Sequence, residues 1–212
     1  MTNLKDIKNR IQSVQSTQKI TRAMKMVAAA KVKKAENTVK ASRPFTTELT
    51  AMFKKLLASV GTYSTQSLKI KSAIDNYPEL LQVREIKTVG LLVVTSNKGL
   101  AGAYNANVVR KTLQTIKEYE EQGIRTILYI VGQKGISTLK RKCKDLNCEI
   151  AKTYLSVAND PSGEGAKIVV EDIAEDFVSH KIDTIEVITT RFKNMMSYIV
   201  ENWTILPLKG LN

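Results

Sequence analysis

Apolar residues near the start of the chain recur at the spacing of an α-helix. The first four stand at intervals of three, four and three residues, which is the pattern of a coiled-coil seam. Polar residues 15–18 interrupt this stripe, which then resumes with intervals of mostly four residues. The early members are Leu4, Ile7, Ile11 and Val14, and the later ones are Ile20, Met24, Ala28, Val32, Ala35 and Val39. The shift of phase predicts a seam that changes its partner or its supercoil along its length.

The same segment predicts one unbroken helix, because the first 43 residues contain neither glycine nor proline. Pro44 is expected to end or kink this helix, although an apolar helical face continues beyond it to Val60. Glycine and a polar run follow. We therefore assign residues 1–60 to one long coiled-coil helix with a kink near Pro44, and residues 61–87 to a linker.

From residue 88 onward the pattern changes to short apolar runs that alternate with amphipathic segments. Five runs predict β-strands, and three segments predict helices. The predicted strands are 89–94, 126–131, 149–155, 185–190 and 197–206, and the predicted helices are 105–121, 135–142 and a segment after a loop at 161–165. Such alternation implies an α/β fold with a mostly parallel, Rossmann-like sheet over residues 88–208. A hairpin that turns near Lys193 and Asn194 is expected at its end.

The charge is concentrated on the helix, whereas the overall composition is that of a soluble globular protein. Hydrophobic residues make up 43% of the chain and charged residues 25%. Of the net charge of +13, residues 1–43 supply +9, from eleven Lys/Arg and two Asp/Glu. Three cations within residues 5–10 argue against a secretory signal, and the longest near-apolar run is too short to span a bilayer. We expect a cytoplasmic protein, or a peripheral one on the cytoplasmic face of a membrane.

The segment SNKGLAGAYN, residues 96–105, follows the first strand and opens a helix, where a phosphate-binding loop would lie. It does not match the dinucleotide pattern, because Ala101 stands in place of the second glycine. It does not match the P-loop pattern either, because Tyr104 stands in place of that motif's second glycine. Residues 132–134, after the second strand, include no acid to hold a ribose. We therefore expect a tight turn here.

The remaining reactive side chains form no recognisable catalytic or metal-binding set. His180, the only histidine, lies near a predicted helix end, where solvated or C-capping histidines are usual. Cys143 and Cys148 lack the further ligands that zinc requires, while a disulfide between them stays an alternative. We predict no catalytic, cofactor-binding or metal-binding residue.

The basic helix allows three interpretations. Its cations can form a solvated face, although close neighbours such as Lys33 and Lys34 repel one another without relief from local acids. They can bind nucleic-acid phosphates, although no aromatic residue in 1–43 offers a stacking surface. They can also belong to a helix that is inserted into an acidic protein partner. Met24 and Met26 are compatible with this interpretation because methionine adapts to changing neighbours, but they are equally compatible with an ordinary hydrophobic core.

Four segments closely resemble the γ subunit of F-type ATP synthases. Residues 17–35, TQKITRAMKMVAAAKVKKA, are similar to the N-terminal signature of that family, and SRPF at 42–45 fits it as well. SNKGLAGAYNANV, at 96–108, resembles the family's Ser-Asp-Arg/Lys-Gly-Leu-x-Gly turn, with Asn97 in place of the usual Asp. The ending ENWTILPL resembles the family's last strand, so the resemblance covers essentially the whole chain.

This resemblance implies a central-stalk rotor subunit that couples proton flow through a membrane ring to ATP synthesis or hydrolysis, without catalysis or cofactors of its own. The helix would turn inside the ring of α and β subunits, and the α/β domain would meet the ε subunit and the membrane c-ring. The positions that match the ring contact are Ile20, Arg22, Met24, Lys25, Val27 and Lys31. Those that match the foot-domain turn are Lys98, Gly99, Gly102 and Asn105. Peripheral association would be with the cell membrane, or with a thylakoid or organelle inner membrane.

The family's C-terminal helix has no counterpart before Asn212. The N-terminal helix is therefore expected to lack an intramolecular partner and to be marginal alone, in a fragment, a split gene product or a truncated form.

Two other classes of protein stay open. A nucleic-acid-binding protein with a basic helical arm would show steeply salt-dependent affinity. A small α/β enzyme would bind a nucleotide at residues 96–105.

Overall fold

The structure is a computed structural model in which the chain divides into two compact units, Met1–Thr62 and Tyr63–Asn212. The residues that it describes are 3–62, 80, 82–159, 163–194 and 197–207. A single helix makes up the first unit, and a sheet with its covering helices makes up the second.

The first unit is one helix of 59 residues, α1 (Leu4–Thr62). At 1.5 Å per residue it is about 90 Å long. The Asn3 carbonyl accepts the Asp6 amide at 2.9 Å, and the Asp6 carboxylate lies in the first turn, where the helix dipole favours it. The long N-terminal helix predicted from the sequence is confirmed.

The helix does not end at Pro44, which lies inside α1. Proline has no amide hydrogen, so the carbonyl four residues earlier loses its usual helical partner. Hydroxyl groups beside the proline bond to carbonyls one turn earlier: Thr46 donates to Ser42 at 3.2 Å, and Thr47 donates to Arg43 at 3.0 Å. Favourable residues on both sides therefore carry the helix through this position, and the kink stays a prediction.

The helix also takes in Gly61 and Thr62, where the sequence predicted the start of the linker. Residues 63–79 and 81 of that predicted linker lie outside the described residues. Residues 82–86 form neither helix nor strand, and the linker stays a prediction.

The apolar stripe of α1 is exposed. Val14 is 61% exposed, Ile20 59% and Met24 50%. A single helix cannot bury its own apolar face. Burial of this stripe therefore requires a second helix or another protein.

The second unit is a five-stranded sheet in the order β3-β2-β1-β4-β5. Its strands are β1 (Thr88–Val94), β2 (Arg125–Val131), β3 (Cys148–Tyr154), β4 (Thr184–Asn194) and β5 (Ser197–Leu206). Its helices are α2 (Tyr104–Glu120), α3 (Gln133–Lys142), the single turn α4 (Ser156–Asn159) and α5 (Gly163–Val178), with a 3₁₀ turn at Cys143–Asp145. The first four strands of this order pair in parallel, and β4 and β5 are antiparallel. The predicted α/β fold with a terminal hairpin is confirmed.

Alternate residues of the strands point to the two faces of the sheet, and each face has its own core. On one face Tyr129 and Ile185 pack with Ile173 and Phe177 of α5. The opposite face contributes Leu91, Val93 and Ile130, which pack with residues from two helices. Those are Val108, Val109 and Ile116 of α2 and Leu139 of α3. The central strands β1 and β2 are thus covered on both sides, which explains why their sequences are nearly continuous apolar runs.

Two predicted loop regions belong to regular elements. β4 runs to Asn194 and so includes the predicted turn near Lys193 and Asn194, because pairing with β5 extends the ladder as far as Asn194 opposite Ser197. α5 begins at Gly163, inside the predicted loop at 161–165, of which residues 161–162 lie outside the described residues. Glu164 in its first turn suits the helix dipole.

Candidate functional site

The turn after β1 is held to the start of α3 by the Thr95 side chain. The Thr95 hydroxyl donates to the Val131 carbonyl at 2.8 Å and accepts the Gly135 amide at 2.9 Å. Thr95 is 3% exposed, so these bonds lie in the interior, where an unpaired hydroxyl would be costly. The Thr95 side chain therefore holds the carboxyl ends of β1 and β2 together, directly before the segment 96–105 that was considered as a phosphate-binding loop.

The next two residues continue this connection. The Asn97 side chain accepts the Gln133 amide at 2.8 Å and donates to the Leu155 carbonyl at 2.8 Å. The Ser96 carbonyl accepts the Lys134 amide at 3.1 Å. Together with the bond from Gly135 to Thr95, these contacts occupy the first three amides of α3. A helix N-terminus binds a phosphate through such amides, and at the N-terminus of α3 these amides are already bonded within the chain.

Asn105, the first-turn residue of α2, closes the turn from its other side. Its side-chain oxygen accepts the Ser96 amide at 3.0 Å, and its side-chain nitrogen donates to the Ser96 hydroxyl at 2.9 Å. The Ser96 hydroxyl in turn donates to the Lys98 carbonyl at 2.7 Å. Of the four foot-domain residues predicted from the sequence, Asn105 is the one whose side chain organises the turn.

The other three predicted residues lie at the surface. Lys98, Gly99 and Gly102 are exposed, and a Cβ on Gly99 would meet the Lys134 side chain at an ordinary 3.7 Å. Gly102 has φ +56°, the left-handed conformation that favours glycine, with nothing within 4 Å of an added Cβ. These three residues contribute to the turn through their backbone. The structure does not bring them together into a site.

Gly132 is the glycine that the sequence reasoning missed. Its φ is +96°, and a Cβ there would lie 2.2 Å from the Thr95 carbonyl oxygen. The position therefore requires glycine on two grounds, backbone conformation and close approach of two chain segments. The sequence contains a signal for this role, because Gly132 stands directly between an apolar run that predicts a buried strand and a predicted helix.

A basic groove lies beside the turn, between α2 and α3. Its volume is 420 Å³, and its lining combines an apolar floor with three cations, Arg110, Lys134 and Lys142. Val109 and Leu113 contribute to the floor. Within the described part of the chain, no acidic side chain forms an ion pair with these cations. Such a groove suits an acidic partner surface.

On α1, four of the six predicted ring-contact residues share one stripe. Ile20, Met24, Val27 and Lys31 are spaced by four, three and four residues, so they lie on one side of the helix. Arg22 and Lys25 lie on other sides, because each residue turns the helix by about 100°. All six side chains are exposed, so each is accessible to a partner.

Titratable groups with perturbed pKa values occur on the α5 side of the sheet, where they tie this helix to the strands. The Tyr154 hydroxyl donates to the Asp172 carboxylate at 2.8 Å, and Lys152 bonds to the same carboxylate at 2.7 Å. The hydrogen bond from Lys152 lowers the pKa of Asp172. Burial, followed by the hydrogen bond to Asp176, raises the pKa of Tyr129. Each of these groups has a partner within the chain, so the cluster holds elements together.

His180 and the cysteines also have structural settings. His180 has φ +59° just after α5, and its amide donates to the Phe177 carbonyl at 3.2 Å, which confirms its place at a helix end. Its ring also contacts the Arg84 guanidinium. Cys143 and Cys148 are both free thiols. Among the described residues, no cluster of three or more His, Cys, Asp or Glu side chains is arranged to hold a metal ion.

The fold and these surfaces define a class of protein: an α/β domain joined in sequence to a long helix whose apolar and basic sides are exposed. A family model described as ATP synthase matches residues 3–212. The chain is 38% identical over 208 residues to an ATP synthase gamma chain from Synechococcus sp. (strain JA-2-3B'a(2-13)), covering 98% of this chain and 62% of that one. It is 40% identical over 214 residues to the ATP synthase gamma chain of Gloeothece citriformis (strain PCC 7424), covering 100% of this chain and 63% of that one.

The chain belongs to the ATP synthase gamma chain family. It spans about 62% of the length of the curated relatives that it matches. A solved central stalk and c-ring structure of the Tetrahymena thermophila mitochondrial ATP synthase matches with 21% identity and a TM-score of 0.46, over 76% of this chain and 70% of that one. None of the helices in the described ranges is both long and apolar enough to cross a membrane.

Proposed function

We propose that this chain is a central-stalk rotor subunit of an F-type ATP synthase. In this role it couples proton flow through the membrane c-ring to ATP synthesis or hydrolysis on the α and β subunits. The observation that carries the proposal is the exposed apolar stripe along α1, in a chain that belongs to the gamma chain family. A rotor shaft needs a long rigid element whose surface is completed by other subunits.

The charges of α1 support this role. Of its cations, Lys40 alone forms an ion pair among the described residues, with Glu36 at 2.8 Å. The others leave α1 strongly positive in solution, which opposes packing against another basic surface. A surrounding ring of subunits with acidic groups and carbonyl oxygens would relieve this repulsion. The small residues Ala28, Ala29 and Ala30 would permit close approach of such a ring.

The sheet domain would form the foot of the rotor. We propose that its turn at residues 96–105 is structural, and that the groove between α2 and α3 contacts another subunit of the stalk or the ring. The cations Arg110, Lys134 and Lys142 at this groove favour an acidic partner. The ε subunit and the c-ring are the proposed partners of the domain, which would be held peripherally at the membrane.

We propose that the chain itself catalyses no reaction. The Ser96, Asn97 and Asn105 side chains of the candidate turn are hydrogen-bonded within the chain. The first three amides of α3 are bonded to Asn97, Ser96 and Thr95. ATP synthesis and hydrolysis would take place on the β subunits, and this chain would transmit torque to them.

The test compares two methionines on different sides of α1. Met24 lies on the stripe with Ile20 and Val27, whereas Met26 is 61% exposed on another side. We expect Met24→Lys, in the ATP synthase assembled with the α and β subunits, to leave folding intact but to lower proton pumping per ATP hydrolysed. Met26→Lys adds the same charge and should have the smaller effect.

The readout is ATP hydrolysis and acidification of membrane vesicles in the same preparation. A rotor role for the stripe is contradicted if Met24→Lys leaves the ratio of pumping to hydrolysis unchanged, or if both lysine variants lower it equally. A chain that does not co-purify with α and β subunits, and that binds nucleic acid with salt-dependent affinity instead, would support the alternative class of protein.

A further inference from the structure

Two free cysteines lie together where α3 connects to β3. Cys143 follows α3 directly and begins the 3₁₀ turn, and Cys148 is the first residue of β3. The Leu146 amide donates to the Cys143 carbonyl at 3.5 Å, and the Cys148 amide donates to the Leu146 carbonyl at 2.8 Å. This tight turn folds the chain back, so that the Cys148 sulfur lies 3.9 Å from the Cys143 carbonyl oxygen. We propose that Cys143 and Cys148 form a thiol–disulfide modification site, with Cys143 as the attacking thiol.

The two cysteines lie at the edge of one hydrophobic core cluster. Both side chains are half-buried and pack against the same apolar cluster, which includes Leu139 and Leu146. The Cys148 thiol donates to the Cys143 carbonyl oxygen. A disulfide needs the sulfurs to approach to about 2.05 Å, and the turn that brings the Cys148 sulfur to 3.9 Å from the Cys143 carbonyl oxygen places the two side chains close together. Partial exposure lets a small disulfide reach them.

The surroundings distinguish the two thiols. The hydrogen bond from Cys148 lowers the pKa of Cys143, whereas the same bond and burial raise the pKa of Cys148. Cations flank Cys143 on both sides, Arg141 and Lys142 before it and Lys144 after it. Positive charge stabilises a thiolate and offsets the negative end of the α3 dipole. Glu120, by contrast, acts on Cys148.

The chemistry is a two-step exchange with a low-molecular-weight disulfide as the oxidant. The Cys143 thiolate attacks one sulfur of that disulfide, which forms a mixed disulfide and releases one small thiolate. Cys148 then loses its proton to solvent, and its sulfur attacks the Cys143 sulfur and releases the second small thiolate. Two protein thiols are oxidised by two electrons, and one small disulfide is reduced to two thiols. A dithiol reductant reverses the reaction.

The first test uses oxidised glutathione on the purified full chain and measures its intact mass. We expect the chain to lose the mass of two hydrogen atoms without retaining glutathione, and to regain them with a dithiol reductant. Cys148→Ser should stop at a mixed disulfide with one glutathione. Retention of two glutathiones by the unsubstituted chain, or an unchanged mass under conditions that oxidise a model dithiol, would overturn the proposal.

The second test measures which sulfur attacks, by the rate of alkylation at neutral pH. Cys148→Ser keeps a hydroxyl donor beside Cys143, so this variant should react about tenfold faster than Cys143→Ser, in which Cys148 is the remaining thiol. Cys148→Ala removes the donor and should react more slowly than Cys148→Ser. Equal rates for the two serine variants would refute the role of Cys143. Unchanged far-ultraviolet circular dichroism establishes that each variant is folded.

Discussion

The helix α1 and the sheet domain follow the same periodic rules, but their apolar residues end in opposite environments. In the sheet domain, Leu91, Ile130 and Phe177 are completely buried by elements of the same chain. In α1, the stripe residues Val14 and Ile20 are more than half exposed. A periodic pattern therefore predicts which face of an element must be buried. Whether the same chain or another protein buries that face depends on the other elements that the chain contains.

The charged residues differ in the same way. In the sheet domain, Lys152 and Lys181 each bond to a carboxylate of α5, at 2.7 and 3.1 Å. In α1, a net charge of +9 over residues 1–43 has one internal ion pair among the described residues. The domain pairs some of its lysines with its own carboxylates, whereas the cations of α1 have almost no internal partners among the described residues. Under the rotor proposal, this partner is the ring of α and β subunits.

Matched phenylalanines give the largest expected difference between the two regions. Phe177 is fully buried, with the Arg84 guanidinium 4.2 Å from its ring centroid, and Phe45 on α1 is 71% exposed. We expect Phe177→Ala to lower the free energy of unfolding of the sheet domain by about 3–5 kcal/mol, because it leaves a cavity. Phe45→Ala should change it by less than about 0.5 kcal/mol. Urea denaturation, followed by the fluorescence of Trp203, measures both. Similar losses would contradict the division between covered and uncovered surfaces.

A smaller effect is expected where Gly132, between β2 and α3, approaches Thr95 after β1. Gly132→Ala places a Cβ 2.2 Å from the Thr95 carbonyl oxygen, so the connection must shift. We expect a loss of about 2–3 kcal/mol from this overlap and from the positive φ. Gly102→Ala is the control, because its φ is also positive but an added Cβ meets nothing within 4 Å. It should cost about 1 kcal/mol. Equal losses would mean that the close approach to Thr95 contributes nothing.

The smallest effect concerns the pH dependence of the sheet domain. Hydrogen bonding to Lys152 holds the pKa of Asp172 below that of the unfolded chain, which is about 4. The ionised carboxylate therefore stabilises the fold above about pH 4, and this contribution is lost as the pH falls through the folded-state pKa. Asp172→Asn should remove part of the difference in unfolding midpoint between pH 7 and pH 3.

The control for this titration is the neighbouring residue on α5. Glu171 pairs with Lys167 at 3.5 Å on the exposed side of the helix, where ion pairs contribute little. Glu171→Gln should therefore leave the pH dependence nearly unchanged. If Glu171→Gln and Asp172→Asn flatten it equally, general charge effects on α5 account for the acid sensitivity.

The sequence predicted β1 and β2 well because each is a run of buried apolar residues. β5 was predicted at its observed limits, 197–206, and the parallel order followed from alternation with helices. The failures have identifiable causes. The helix passes Pro44 because its flanks favour helix so strongly, and β4 extends past residue 190 because β5 pairs with it. The continuation of the helix and the extension of the strand both depend on residues around these positions. The propensity of the positions themselves does not predict either outcome.

The candidate site was predicted less completely than the fold. Asn105 was identified by resemblance, and it does organise the turn through Ser96. Gly132 and Thr95 were missed, because their role depends on contact between segments more than thirty residues apart. The groove between α2 and α3 also depends on two helices that the sequence alone does not place side by side.

Amide hydrogen exchange along residues 4–43 tests most directly the claim that α1 is a shaft enclosed by other subunits. In the chain alone, the exposed helix should exchange rapidly, whereas the amides of β1 and β2 are protected. After assembly with α and β subunits, exchange along the stripe from Ile20 to Lys31 should slow by at least about tenfold. Protection of residues 4–43 in the chain alone, or unchanged exchange in the assembled complex, would contradict it.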